Sequence, residues 1–149
     1  MFRGNSFHTI DPKGRIIIPT RFRDVLRDSK FSSLIISRMD GALVAYSLEK
    51  WQEVEQRILN MEKKSRDFRR FRRFFIGGSF DCAYDKQGRI LIPPALREYA
   101  GFKKEIVLAG VLTHFEIWAD EKWRDEEESF ENDYSTNEET RDEIAELGL

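Results

Sequence analysis

The chain has 149 residues, of which 40 % are hydrophobic, 13 % aromatic and 35 % charged, so it can form one compact domain or two very small ones around an apolar core. The sequence contains no run of 18 or more apolar residues, which argues against a membrane protein, and the opening residues lack an apolar stretch suited to a signal peptide. Cys82 is the single cysteine, so no internal disulfide can form. We therefore expect a cytoplasmic protein.

The formal net charge of −2 conceals a strong division of charge along the chain. Residues 1–119 carry 22 Lys and Arg against 14 Asp and Glu, a net charge of +8. Residues 120–149 carry 3 basic residues against 13 acidic ones, a net charge of −10. A basic body indicates a polyanionic partner, and an acidic tail is typical of a solvated or interacting extension.

The first half of the chain predicts a turn, a strand, a short helix, a β-hairpin and a second helix. Asp11 to Gly14 has the residue preferences of a type I turn, and the β-branched run Ile16 to Ile18 predicts a strand that ends at Pro19. A short helix is expected from about Thr20 to Arg27. The remaining elements are two hairpin strands and a helix, at Leu34–Ser37, Ala42–Tyr46 and from Leu48 onward.

A basic segment rich in phenylalanine follows. From Arg57 to Arg73 there are eight Lys or Arg and two acidic residues, and spacings of three and four place Phe68, Phe71, Phe74 and Phe75 on one face of a helix that Gly77-Gly78 would end. Such a helix usually packs its aromatic face on a core and leaves its arginines in solvent. Direct contact of these arginines with phosphate is the alternative, and both can hold together.

The second half repeats the first. DPKGRIIIP (Asp11 to Pro19) matches DKQGRILIP (Asp85 to Pro93) at an offset of 74 residues, and an alignment at an offset of 72 continues it through the hairpin and the next helix. Two copies of one supersecondary unit favour a closed pseudo-symmetric pair. We predict an α+β fold divided into a first repeat, a connecting basic helix, a second repeat and a helical or disordered acidic tail, at 1–56, 57–78, 79–124 and 125–149.

The repeated D-x-x-x-R turns are the strongest candidates for function. Asp11 with Arg15, and Asp85 with Arg89, can be structural pairs that brace a hairpin, or they can each fix an arginine for contact with phosphate or with guanine O6 and N7. Repetition inside a basic body favours the second interpretation. Supporting residues are the turn glycines and the adjacent lysines, which can contact phosphate: Gly14, Gly88, Lys13 and Lys86.

Enzyme chemistry finds little support in the sequence. His8 and His114 are the only histidines, and neither has a metal-ligand spacing to Cys82 or to the other, so we predict neither metal nor cofactor. Cys82 fits a small buried residue better than a nucleophile. No phosphate-cradling glycine loop is present. We expect a protein that is not an enzyme and has no small-molecule substrate.

The segments MFRGNSFHTIDPKGRIIIPTRFR and DKQGRILIPPALREYAGFKKEIVLAGVLTHFEIWADEKW resemble the MraZ family, which is related to the SpoVT/AbrB group of DNA-binding proteins. Thr113-His114 departs from the Asn-containing pair that is commoner in the family. The resemblance implies two tandem AbrB-like halves of the swapped-hairpin type, which form one small pseudo-symmetric barrel with short flanking helices. It also assigns the DNA-contacting D-x-x-x-R signature to Asp11 and Arg15 and to Asp85 and Arg89.

The resemblance further implies a cytoplasmic, nucleoid-associated transcriptional regulator of the bacterial division and cell-wall gene cluster, including its own promoter. Such a protein binds tandem short repeats of double-stranded DNA as a ring-shaped homo-oligomer and needs no cofactor. Three alternatives stay open at this point. They are a structural oligomer whose basic body packs on the acidic tail of a neighbour, a non-specific nucleic-acid binder, and an RNA-binding module.

Overall fold

A computed structural model of the chain describes residues 1–28, 33–62 and 65–149, and these divide into two compact units, Met1–Ala119 and Asp120–Leu149. The first unit contains eight strands: β1 (Phe2–Thr9), β2 (Arg15–Ile17), β3 (Ser33–Met39), β4 (Ala42–Ser47), β5 (Phe80–Ala83), β6 (Arg89–Leu91), β7 (Glu105–Leu112) and β8 (Phe115–Ala119). Its helices are α1 (Thr20–Leu26), α2 (Leu48–Leu59), α3 (Arg66–Phe75) and α4 (Pro94–Ala100). The prediction of an α+β fold is therefore confirmed.

The strands form a six-stranded antiparallel sheet in the order β1-β7-β8-β4-β3-β5 and a separate two-stranded ribbon, β2-β6. Four pairings between the described strands join the two repeats: β1 pairs with β7, β5 with β3, β4 with β8 and β2 with β6. In the ribbon, Ile16 lies opposite Ile90, and these two positions are equivalent in the repeat. A pseudo-twofold axis therefore passes between them, and the repeats interleave.

The main core lies between one face of the sheet and the ribbon. Alternate residues of the ribbon and its flanks point inward, and Ile16, Ile18, Ile90 and Ile92 are at most 1 % exposed. They pack with the sheet residues of this face and with the buried side chains of α1 and α4, which are Phe22, Leu26, Leu96 and Ala100. Both repeats supply this core, and its contacts with the inward-facing residues fix the position of the ribbon.

A smaller apolar cluster covers the opposite face of the sheet. Ile35 and Val44 pack with Trp51 of α2 and Phe75 of α3, and the rings of Trp51 and Phe75 lie 5.3 Å apart. The arginines of α3 are exposed, at positions 66, 69, 70, 72 and 73. Phe75 therefore packs on the sheet with Phe71 and Phe74 against it, as the spacing indicated, whereas Phe68 is not part of this cluster.

The basic segment differs from the single helix expected over 57–78. Arg57 belongs to the last turn of α2, and α3 covers only Arg66–Phe75. The hydroxyl of Ser65 accepts a hydrogen bond from Phe68 N and so begins α3. Ser37 Oγ donates to the carbonyl of Phe75 at 2.5 Å, which satisfies one of the last carbonyls of the helix. Two basic residues of the segment, at 63 and 64, lie outside the described residues.

The second unit is the acidic tail, and it is helical. It contains α5 (Asp120–Thr136) and α6 (Glu138–Ala145), so the helical alternative of the two expectations describes it. Asn137 separates the two helices, and its side chain accepts hydrogen bonds from Glu139 N and Thr140 N. In the described parts of the chain, no helix is both long and apolar enough to cross a membrane.

Candidate nucleic-acid interface

The first D-x-x-x-R motif forms a tight turn at the start of β2. Asp11 Oδ1 accepts hydrogen bonds from Lys13 N at 3.0 Å and from Arg15 N at 2.8 Å. Asp11 Oδ2 accepts from Arg15 Nε at 2.6 Å. The carboxylate therefore shapes the turn with one oxygen and orients the guanidinium with the other, and the Nη groups of Arg15 are the donors that an external ligand can use.

The second motif repeats this geometry at the start of β6. Asp85 Oδ1 accepts from Gln87 N at 2.9 Å and from Arg89 N at 3.0 Å, and Asp85 Oδ2 accepts from Arg89 Nε at 2.9 Å. The side chains of Arg15 and Arg89 are 32 % and 27 % exposed. Each carboxylate therefore braces its turn, as the structural interpretation expected, and the same carboxylate also fixes an arginine at the surface, which the functional interpretation requires.

Each turn needs a glycine for two reasons. Gly14 has φ +89° and Gly88 has φ +75°, a region that residues with a side chain rarely adopt. A Cβ atom at Gly14 would lie 2.6 Å from Arg97 Cζ, and one at Gly88 would lie 2.8 Å from Arg23 Nη1. The motif glycines thus permit both the turn and the close approach of an arginine from a helix.

Arg23 and Arg97 therefore pack against the motif turns, although the sequence did not single them out as site residues. They stand at equivalent positions of the two repeats, in α1 and α4. The repeat alignment was the signal that could have marked them. Each lies against the turn of the other repeat, so the contact could be seen only once the interleaving of the halves was known.

The ribbon brings the two motifs together. Arg15 lies opposite Leu91, and Ile17 lies opposite Arg89. Because side chains alternate along a strand, these four residues share the outer face of the ribbon, while Ile16 and Ile90 point into the core. This outer face carries two arginines at diagonal corners. Lys13 and Lys86 are exposed on the two turns beside it. They are not strictly equivalent, because Lys86 stands one position before the residue that aligns with Lys13.

The motif carboxyls are held in their ionised form. Backbone donation from Arg15 N is the largest cause that lowers the pKa of Asp11 below its usual 3.8. Burial opposes it as the second-largest cause, and the Arg15 guanidinium lowers the pKa further. Arg89 N likewise lowers the pKa of Asp85. A depressed pKa in the folded state stabilises the fold above the usual pKa, and this contribution is lost as the pH falls through the lowered value.

An NMR titration of the carboxyl carbons checks this arrangement. In the wild-type protein, Asp11 and Asp85 should both titrate below 3.8. Arg15→Ala should raise the pKa of Asp11 only part of the way, because the backbone donors of residues 13 and 15 remain. Asp85 serves as the control in the same sample and should not move. A full return of Asp11 to its usual pKa would show that the guanidinium, rather than the backbone, dominates.

Cys82, His8 and His114 are the other residues that the sequence offered for chemistry. Burial raises the pKa of the Cys82 thiol to about 11, so it stays protonated and unreactive at neutral pH. Burial, with Arg21 nearby, lowers the pKa of His8, and burial lowers the pKa of His114. Within residues 1–28, 33–62 and 65–149, no group of three or more His, Cys, Asp or Glu could hold a metal ion.

Comparison with known proteins agrees with the duplicated architecture. A family model described as "MraZ protein, putative antitoxin-like" matches the chain twice, over residues 1–74 and 75–144. The chain belongs to the MraZ family. Among its relatives, the transcriptional regulator MraZ of Desulforapulum autotrophicum is 53 % identical over the full length of both chains. That of Desulfosudis oleivorans is 49 % identical over both full lengths. The MraZ protein of Lachnoclostridium phytofermentans is 41 % identical over all of this chain and 99 % of its own. The resemblance stated from the motifs is thereby confirmed.

Proposed function

We propose that the protein is a sequence-specific DNA-binding transcriptional regulator that reads base edges with the outer face of the β2-β6 ribbon. The observation that carries this proposal is the pair of arginines that Asp11 and Asp85 fix on that face. A two-stranded ribbon fits the major groove of B-DNA. A guanidinium held in a fixed direction can donate two parallel hydrogen bonds to guanine O6 and N7.

Affinity comes from charge. The body of the protein has a net charge of +8, and Lys13 and Lys86 flank the ribbon where the phosphates of a bound duplex would run. Neutralising phosphates releases counterions and makes binding depend on salt, whereas contacts to base edges provide the preference for one sequence. Arg23 and Arg97 add positive charge next to the two turns.

The family suggests the biological setting of this activity. We propose that the protein acts in the cytoplasm, associated with the nucleoid, on the division and cell-wall gene cluster and on its own promoter. It would bind tandem short repeats as a ring of several copies, without a cofactor. Several identical ribbons on one ring would gain avidity from tandem repeats, because each later contact is intramolecular.

A DNA titration tests the proposal. We expect the full-length protein to bind the fragment upstream of its own gene more tightly than a scrambled fragment of the same composition, and to keep this preference as salt is raised. Total affinity should fall with salt for both fragments, since both carry the same phosphates.

Two results would contradict the proposal. Equal and steeply salt-dependent binding to both fragments would show a non-specific polyanion binder. Absence of binding, together with a change of assembly size when the acidic tail is removed, would favour the structural oligomer instead.

A further inference from the structure

Two aliphatic side chains lie between the arginines on the outer face of the ribbon. Ile17 is 50 % exposed and Leu91 is 54 % exposed. Single exposed aliphatic residues are common on protein surfaces. These two are unusual in their placement, because each is the direct cross-strand neighbour of a motif arginine, Ile17 of Arg89 and Leu91 of Arg15.

The arrangement repeats one unit twice. Directly opposed side chains in an antiparallel pair have Cβ atoms about 4.5–5.5 Å apart, so each arginine presents a hydrogen-bonding fork beside an apolar group. The pseudo-twofold axis between Ile16 and Ile90 relates the two units. Ile17 and Leu91 are not part of the core, which contains the inward-facing residues of the ribbon instead.

We infer that Ile17 and Leu91 determine specificity by contacting the C5-methyl groups of thymine bases next to the guanines that the arginines read. This inference rests on the proposed function. In the major groove, thymine is marked by its methyl group, and aliphatic side chains recognise it by apolar contact. Successive bases of one strand rise by about 3.4 Å, so a residue one cross-strand position from an arginine reaches a base one or two steps away.

Charge favours DNA over a second copy of this chain as the group that covers this face. A symmetric contact between two copies would bring the two arginines of one ribbon against those of the other, with Lys13 and Lys86 close by. Like charges placed against each other across an interface disfavour association. The same charges attract the phosphates that border the major groove.

Deoxyuridine provides the test, because it pairs as thymine does and lacks only the methyl group. The fragment upstream of the gene is amplified with either dTTP or dUTP, and the affinity of the full-length protein for each is measured. We expect the wild-type protein to bind the thymine-containing fragment about three- to fivefold more tightly for each methyl group it covers.

Variants locate the effect on the ribbon. Ile17→Ser and Leu91→Ser should each reduce the preference for thymine over uracil, and the double variant should abolish it. Leu59→Ser is the matched control, because Leu59 is 59 % exposed at the end of α2. The control should keep the full preference, and thermal unfolding should show that all four proteins are folded.

The failure of this inference can be distinguished from the failure of the proposed function. A wild-type protein that prefers its own fragment to a scrambled one but binds the uracil form equally well would overturn the methyl contact alone. Loss of preference between own and scrambled fragments would overturn the proposed function. A change in assembly size in the serine variants, with the thymine preference intact, would assign the face to contact between copies and overturn the inference.

Discussion

Arg15→Ala should reduce discrimination between the cognate and the scrambled duplex by about 1–3 kcal/mol for each site that its ribbon occupies, the range for a good bidentate contact to guanine. Arg89→Ala should have an effect of similar size, because the pseudo-twofold axis places Arg89 equivalently. The fold should persist in both variants. Asp11 keeps its hydrogen bonds from the backbone N–H groups of residues 13 and 15, so the turn does not depend on the guanidinium.

Competition titrations at one fixed salt concentration measure this effect. Arg27→Ala is the matched control, since it also removes an arginine paired with an aspartate, Asp24, at 2.5 Å, and does so outside the ribbon. The control should weaken binding to both duplexes equally or not at all. If Arg15→Ala behaved like Arg27→Ala, Arg15 would be a phosphate contact or a purely structural residue.

Phe115→Ala should destabilise the protein by about 3–5 kcal/mol. Phe115 is fully buried, and its ring lies 5.3 Å from that of Phe2 and 5.0 Å from that of Phe22. These three side chains join the first strand, the first helix and the last strand of the body at one point in the core. Truncation therefore leaves a cavity at a place where both repeats meet.

Urea denaturation provides the measurement. The midpoint should fall with little change in the dependence of the unfolding free energy on urea concentration. Phe7→Ala is the control, because Phe7 is 67 % exposed on β1, and its removal should change stability by no more than about 0.5 kcal/mol. An equal loss in both variants would show that the loss at Phe115 does not arise from packing in the core.

Local patterns in the sequence predicted most of the elements of the body. The turn Asp11 to Gly14 and the hairpin strands are encoded by residues close together in the chain, and they appear close to where they were expected. The strand predicted over Ile16 to Ile18 covers Arg15–Ile17 and so ends before Pro19. Local patterns do not predict which strands pair with each other. Two copies of one unit can satisfy their backbone groups within each half or across the halves, and the periodicity of the sequence is the same in both cases. The pairing of strands across the two halves was expected only from the family resemblance.

The candidate site likewise has one part that local sequence predicted and one part that depends on the opposite repeat. The bond between Asp11 and Arg15 spans four residues, so the motif itself predicted it. The contributions of Ile17, Leu91, Arg23 and Arg97 depend on strands and helices from opposite repeats. An exposed isoleucine within a run of three looks like core until the partner strand determines which of the three points outward.

The pairing of β1 with β7 has a consequence for how the protein is made. Phe2 lies opposite Leu112, so the first strand to leave the ribosome waits for one of the last strands of the body. At about 5–20 residues per second, this interval is roughly 5–20 s. During that time the nascent chain exposes a strand edge and the apolar side chains of an unfinished core, and contacts so distant in sequence also slow the folding that follows. A chain released early would lack the strand that covers this edge, and truncated products of this gene should be prone to aggregation.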